Sequence, residues 1–408
     1  MAAPWAQILT VERSKENVVS ETYDESNPYA PEPADRTTGD PIVEEFDGWL
    51  RTLSEADGSD LHLKVGSPPM MRLHGQLQRM DRPPMVPAET ERLAAGIVPP
   101  DRRDVLDAKG EVDFAHSVAG LGRFRANVFR QRGSFSMVLR KLRFGGPPIE
   151  EVGLPPVVQK LADEPRGLVL VTGPTGSGKT TTLAAMIEHV NSTRPAHIVT
   201  IEDPIEVLHR DKVASVNQRE VGQDTESFVT ALRAALRQDP DVILIGEMRD
   251  TETVRAALQA AETGHLVLST MHTQDATETV NRVVDFFPPY QQNQIRVTMA
   301  GSLRGIVCQR LVPSLVGGRV PCVEVLVNTG RVAERIVDPM LTSEIHDVIS
   351  EGQFYGMQTF DQHLLHLVAS GTVQPSDAME ASSKPHDFQL MLQQVSVPGT
   401  STYATYAG

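Results

Sequence analysis

The sequence predicts an α/β fold with a parallel central sheet, preceded by a smaller α+β domain, and three observations predict it. From Gly167 onward, short apolar runs alternate with stretches whose apolar residues recur at turn spacing, the pattern of strand–helix units that build a parallel sheet. A glycine-rich loop, Gly173-Pro174-Thr175-Gly176-Ser177-Gly178-Lys179-Thr180, follows the first of those runs and opens the first helix. Upstream, between Pro41 and Gly145, strand-like stretches recur around glycine and proline breaks.

Taken in order, residues 1–40 carry eight acids and three bases, are rich in Pro and Ser, and hold no lasting periodicity. A disordered acidic arm is expected there. The α+β domain, residues 41–145, opens with Phe46, Leu50 and Leu53 at helical spacing, and Gly58 ends that helix. Leu61, Leu63 and Val65 alternate with Asp60, His62 and Lys64 as in a half-buried strand. Pro68-Pro69 breaks it, and Met71 to Leu77 resumes around a turn at Gly75. A β-rich stretch from Val112 to Arg143 follows, and Gly145-Gly146-Pro147-Pro148 reads as a linker.

In residues 146–395, Gly167–Thr172, Ile198–Ile201, Val242–Ile245 and Leu266–Ser269 read as strands. Helices are expected with Leu183, Met186, Ile187 and Val190 on one face, over about Thr225 to Arg237 burying Phe228, Leu232 and Ala235, and from about Thr251 with Val254, Leu258 and Ala261. Beyond Phe286-Phe287-Pro288-Pro289 a mostly helical part is expected, then a flexible tail over 396–408.

Fifty-three acidic residues face 38 basic ones, a net charge of −15, which argues against a protein that coats nucleic acid. The two cysteines, Cys308 and Cys322, form no CxxC pair and read as small buried thiols suited to a reducing cytoplasm. No basic segment followed by an apolar run opens the chain, so no signal peptide is expected. No stretch reaches the ~18–20 apolar residues of a membrane span, so a membrane role would come through a partner.

The glycine loop matches a P-loop in full, with a strand before it and a helix after it. Its backbone N–H groups and the helix N-terminus suit phosphates, Lys179 reaches the β- and γ-phosphates, and Thr180, with Thr181 beside it, suits Mg²⁺ and ATP. The expected domain is thus a RecA-like P-loop ATPase domain. Three further strands each deliver a polar cluster at their carboxyl ends, where open α/β sheets bind ligands. These are Glu202-Asp203-Pro204-Ile205-Glu206, Gly246-Glu247-Met248-Arg249-Asp250 and Met271-His272-Thr273. In the run from Val242 to Glu247, Gly246 stands where an Asp usually holds the metal. Glu247 is left to polarise the attacking water or to hold Mg²⁺ through water, with Glu202 and Glu206 as rival bases. Asp250 also fits a helix cap. His265 and His272 flank one strand; they suit γ-phosphate sensing or ordinary loop positions, and lack a third partner for zinc. In a regular strand Arg123 and Arg125 share one face and Arg130 takes the other. That basic strand suits either a solvated face or arginines supplied in trans to a neighbour's nucleotide.

Together these residues resemble the secretion ATPase superfamily of type II secretion and type IV pili, over roughly Pro41 to Glu380. Gly58-Ser59-Asp60-Leu61-His62-Leu63 and Gly122-Arg123-Phe124-Arg125-Ala126-Asn127 resemble its N-terminal domain. The clusters at Glu202, Gly246 and Gly264-His265 through His272-Thr273 resemble its Asp box, atypical Walker B and His box. Tyr355-Gly356-Met357-Gln358-Thr359-Phe360-Asp361-Gln362 is similar to the C-terminal stretch of its pilus-retraction branch. The resemblance implies a PAS-like N-terminal domain and a homohexamer that hydrolyses Mg-ATP, with arginines reaching a neighbour's nucleotide. It also implies docking on a platform protein at the cytoplasmic face of the inner membrane, at the pilus base. The four-cysteine zinc site of many extension ATPases cannot be built from two cysteines, which favours retraction; the retraction motif Ala-Ile-Arg-x-Leu-Ile-Arg-Glu is replaced by Val332-Ala333-Glu334-Arg335-Ile336-Val337-Asp338-Pro339. Readings from other classes are an assembly or secretion ATPase, a nucleic-acid translocase, against which charge and the lack of a basic-aromatic stripe speak, and a regulatory ring that hydrolyses little.

Overall fold

The computed structural model describes residues 40–393; the acidic arm, Asp40 apart, and the tail over 396–408 lie outside them. The chain divides into two compact units, one ending at Leu142 and the other beginning at Arg143.

The first unit runs α1 (Pro41–Glu55), β1 (Asp60–Lys64), β2 (Met70–Leu73), β3 (Gln76–Arg79), α2 (Pro87–Ile97), α3 (Pro100–Lys109), β4 (Glu111–Val118), β5 (Gly122–Gln131) and β6 (Ser134–Lys141). Asp40 caps α1 by accepting from the Ile42 N–H at 3.0 Å, with Pro41 in the first turn, where a missing N–H costs nothing. The strands form one antiparallel sheet in the order β3-β2-β1-β6-β5-β4. Phe46, Leu50 and Leu53 of α1 and Leu93 of α2 are buried in one core with Phe124, Val128 and Leu139. The helices α2 and α3 are additions to the sequence reading; Pro87 and Pro100 stand in their first turns, where a missing N–H costs nothing.

The second unit begins with β7 (Arg143–Phe144), α4 (Ile149–Val152), α5 (Pro156–Ala162), β8 (Gly167–Thr172), α6 (Lys179–Thr193), β9 (His197–Glu202), β10 (Val207–Leu208), β11 (Ser215–Glu220), α7 (Phe228–Ala235), β12 (Val242–Ile245), α8 (Thr251–Glu262) and β13 (Leu266–Met271). It continues through α9 (Ala276–Asp285), α10 (Pro289–Ser302), β14 (Leu303–Pro313), β15 (Arg319–Val327), α11 (Gly330–Val337), α12 (Ile345–Glu351), α13 (Phe360–Ala369), α14 (Pro375–Ala381) and α15 (Pro385–Gln393). The large sheet has the order β11-β9-β12-β13-β8-β14-β15. Its first five neighbour pairs are parallel and the last, β14 with β15, is antiparallel. Every residue of β8, β12 and β13 is buried, as helix-covered parallel strands require, so each reads as an unbroken apolar run.

The chain after Pro289 opens with α10 and is mostly helical, but a hairpin absent from the sequence reading, β14 and β15, lies between α10 and α11 and extends the sheet. Both strands are buried on both faces along much of their length, so neither shows the period-two alternation that reveals a half-buried strand. The boundary between the units also falls just ahead of Gly145-Gly146, because β7 pairs in parallel with β10, Arg143 opposite Val207 and Phe144 opposite Leu208. Gly146 is a packing position: a Cβ there would sit 2.1 Å from the Ala184 carbonyl oxygen of α6. Cys308 and Cys322 are both buried free thiols, and burial pushes the Cys322 thiol up to about 12.

Candidate active site

The loop between β8 and α6 needs its glycines. Gly173, Gly176 and Gly178 have φ of 141°, 80° and 91°, conformations that side chains disfavour. Gly173 and Gly178 also leave room for β14: a Cβ on them would lie 2.3 Å from the Gln309 carbonyl oxygen and 2.7 Å from its Nε2. Gln309 is buried and accepts from Thr182 Oγ1 at 2.7 Å, fixing the first turn of α6 beneath the loop. Lys179 Nζ donates to the carbonyls of Gly173 and Pro174 at 2.8 and 3.0 Å. Burial lowers its pKa, and the charges of Glu247 and Glu206 oppose that shift.

The loop forms one wall of a cleft of about 600 Å³, within the usual span for a small-molecule site. Thr175, Gly176, Gly178, Lys179, Thr180 and Thr181 line it, joined by Glu202 at the end of β9, Asp203 and Glu206 just beyond it, Gly246, Glu247 and Arg249 after β12, and Thr270 and His272 at the end of β13. These groups converge because parallel strands end on the same edge of the sheet.

Glu247 is held on both oxygens: Arg249 Nη2 lies 2.7 Å from its Oε2, and His272 Nε2 lies 3.2 Å from its Oε1. Burial works to raise its pKa, but the Arg249 hydrogen bond and the neighbouring positive charges outweigh it and hold the carboxyl below the ordinary range. Glu202 has neutral donors: Thr200 Oγ1 at 2.6 Å and Gln218 Nε2 at 3.2 Å, both to Oε1. Burial pushes its carboxyl above the ordinary range despite them. The glycine at position 246 has a packing reason. A Cβ there would lie 3.3 Å from the Ile201 carbonyl oxygen and 3.4 Å from Glu202 Cα, so an aspartate would press on the end of β9. Asp250 caps α8, accepting from the Thr253 N–H at 2.8 Å and its Oγ1 at 2.9 Å.

The family profile described as Type II/IV secretion system protein matches residues 141–376, which include the loop, the cleft and most of the C-terminal helices. The chain belongs to that family. Members named for pilus retraction are similar over nearly their whole length. The type IV pilus retractation ATPase PilT of Pseudomonas aeruginosa is 44% identical over 330 residues, 81% of this chain and 96% of that protein. A twitching motility protein of Neisseria gonorrhoeae is 45% identical over 76% of this chain and 83% of its own. A crystal structure of the pilus retraction motor PilT with bound ADP superposes with a TM-score of 0.78 at 46% identity, covering 84% of this chain and 98% of that one. This member of the Type II/IV secretion system family is an ATPase.

Within the family fold, not every residue singled out from the sequence reaches the cleft. His265 precedes β13 at its amino end, where its carbonyl accepts from the Gly167 N–H at the start of β8. A strand of this length spans about 20 Å, so His265 and His272 stand at opposite edges of the sheet. His265 Nδ1 lies 3.0 Å from the Ala260 carbonyl oxygen, a local contact. Arg123, Arg125 and Arg130 lie on β5 of the first unit; Arg125 and Arg130 are exposed, paired with Asp113 at 4.0 Å and Asp107 at 3.7 Å. Sequence reasoning missed Gln218, Gln309 and Arg319, the last of which lines the cleft from the start of β15. Their roles arise from contacts distant in sequence, and no local spacing signals them.

Proposed function

We propose that this ATPase powers type IV pilus retraction, the disassembly that drives twitching motility. The observation that carries the reading is the 44% identity to a pilus retractation ATPase across 96% of that protein's length, which takes in the N-terminal region as well as the ATPase core. In this reading Lys179 and the N–H groups at the start of α6 hold the phosphates of ATP. The oxygen donors facing the cleft, the Thr180 hydroxyl and the Glu247 carboxylate, fit a hard cation that keeps several waters, and Mg²⁺ there would neutralise charge on the phosphates. Glu247, its carboxyl held below the ordinary range by Arg249, orients the attacking water, and His272 holds Glu247. Glu202 and Glu206, which line the same cleft, are the alternative carboxylates.

The working form proposed is a homohexamer in which Arg123, Arg125 and Arg130 supply positive charge to a neighbour's nucleotide. It docks on a membrane-embedded platform protein at the cytoplasmic face of the inner membrane; among the described residues no helix is long and apolar enough to cross a membrane. Deleting the gene tests the direction of work. Retraction predicts that surface pili accumulate while twitching stops; loss of surface pili would instead make the protein an assembly ATPase.

A further inference from the structure

Gln218 lies on β11, the edge strand of the large sheet, opposite Thr200 of β9. An edge-strand glutamine is ordinarily a solvated residue. This one is half-buried and uses its whole amide. Its Nε2 donates to Glu202 Oε1 at 3.2 Å and to the Val207 carbonyl at 2.9 Å, and its Oε1 accepts from the His209 N–H at 2.8 Å. Two acceptors on one side and a donor on the other fix which way the amide faces. Glutamate could not make the first two bonds, and leucine could make none.

The segment bonded by Gln218 has two faces. His209 lines the cleft, with its ring 3.6 Å from the buried Glu188 of α6. Val207 and Leu208 form β10, which pairs with Arg143 and Phe144 of β7. Gly145 N–H donates to the Leu208 carbonyl at 2.7 Å, and the Arg210 guanidinium lies 4.9 Å from the centre of the Phe144 ring. Arg143 is where the chain enters the second unit. A continuous line of bonds therefore runs from Glu202 through Gln218 to β10 and on to β7, all within the second unit.

We propose that Gln218 is a positioning residue for ATP hydrolysis, holding the Glu202 carboxylate in the cleft and tying it, through Val207 and His209, to the entry strand β7. The proposal rests on the cleft being the nucleotide site, and it is independent of the pilus. A change at Glu202 on nucleotide binding is passed to β7 because both amide N–H donors are engaged, one on Glu202 and one on Val207, and the carbonyl oxygen is bonded to His209. The same geometry makes Gln218 matter for turnover more than for binding, since it touches a cleft carboxylate and no group of the phosphate loop.

Hydrogen–deuterium exchange on the full-length protein, with and without Mg²⁺ and ADP, tests this alongside steady-state kinetics. In the unaltered protein ADP should slow exchange both in the phosphate loop and at residues 143–145 and 207–209. In Gln218→Leu the loop should still respond while 143–145 does not, kcat should fall about 10–100-fold, and KM should move less than about threefold. Gln218→Glu should be at least as impaired, because it sets a second carboxylate against Glu202. Phe144→Ala acts at the far end, on an exposed side chain that folding tolerates; ADP should then protect 207–209 but no longer 143–145. A loop response with no response at 143–145 in the unaltered protein, or unchanged kcat in Gln218→Leu, would overturn the coupling and leave the nucleotide site standing. No response anywhere, the loop included, would overturn the site assignment and this proposal with it.

Discussion

Glu202 ends one strand of the large sheet and Glu247 follows its neighbour, and both face one cleft, yet their surroundings push them in opposite directions. Glu247 has Arg249 and His272 against its two oxygens, and its carboxyl is held below the ordinary range. Glu202 has a threonine hydroxyl and a glutamine amide as side-chain donors, and burial holds its carboxyl above that range although His209 opposes the shift. Both lose water; only Glu247 gains an arginine. Glu202 is the more deeply buried of the two and has no arginine bonded to it, so depth and donor act together: burial carries Glu202 upward, and the Arg249 bond carries Glu247 downward. It also explains why the motifs alone leave these residues as rivals.

The largest effect should come from removing what both carboxylates serve. Lys179→Ala should reduce ATP hydrolysis to background while circular dichroism stays unchanged, because the ammonium bonds only to loop carbonyls and fills no apolar core. Retained turnover would detach both carboxylates from catalysis at this site.

Next in size is a stability effect at a third carboxyl that shares Glu202's condition. Glu324 of β15 is buried, accepts from the Ala276 N–H at 2.9 Å, and is pushed up by burial from 4.5 to about 7. The folded chain thus binds this proton more tightly than the unfolded chain, and stability is lost as pH rises from about 4.5 through about 7. Glu324→Gln keeps the acceptor and removes the charge. Urea unfolding at about pH 8 should show the variant more stable by on the order of 1–3 kcal/mol, with no gain at about pH 4. A variant less stable at both would show that burial is not what sets this carboxyl.

The smallest change tests the cationic side of the comparison. Arg249→Ala removes the hydrogen bond that opposes burial at Glu247, so that carboxyl should rise toward the state of Glu202. The acid limb of the activity–pH profile should then move to higher pH. An unmoved limb would mean that Arg249 does not set the charge of Glu247 during turnover.

Much of this arrangement was legible in the sequence. The phosphate loop and the strands β8, β9, β12 and β13 announce themselves because a buried parallel strand is a short apolar run and its carboxyl end is where the polar residues cluster. The hairpin of β14 and β15 stayed hidden, since Gln309, Arg310 and Glu324 interrupt the apolar pattern for reasons that lie elsewhere in the chain: Gln309 under Thr182, Arg310 against Phe360, and Glu324 at the start of α9. The split between His265 and His272 follows from their flanking a single strand, which puts them on opposite edges. The opposite shifts of Glu202 and Glu247 were out of reach, because Gln218 stands beside one and His272 beside the other only once the sheet is assembled.

The central claim is that Glu247, bonded to Arg249, serves hydrolysis more than its more deeply buried neighbour Glu202. Turnover and Mg-ATP affinity of Glu247→Gln and Glu202→Gln, measured side by side at neutral pH on the assembled protein, test it most directly. Glu247→Gln should bind Mg-ATP within about threefold of the unaltered protein and lose about 10²–10⁴-fold in turnover. Glu202→Gln, which replaces a carboxyl that keeps its proton to higher pH with an uncharged group of the same shape, should lose no more than about 10–100-fold. Near-normal turnover in Glu247→Gln, or a larger loss in Glu202→Gln, would contradict the account.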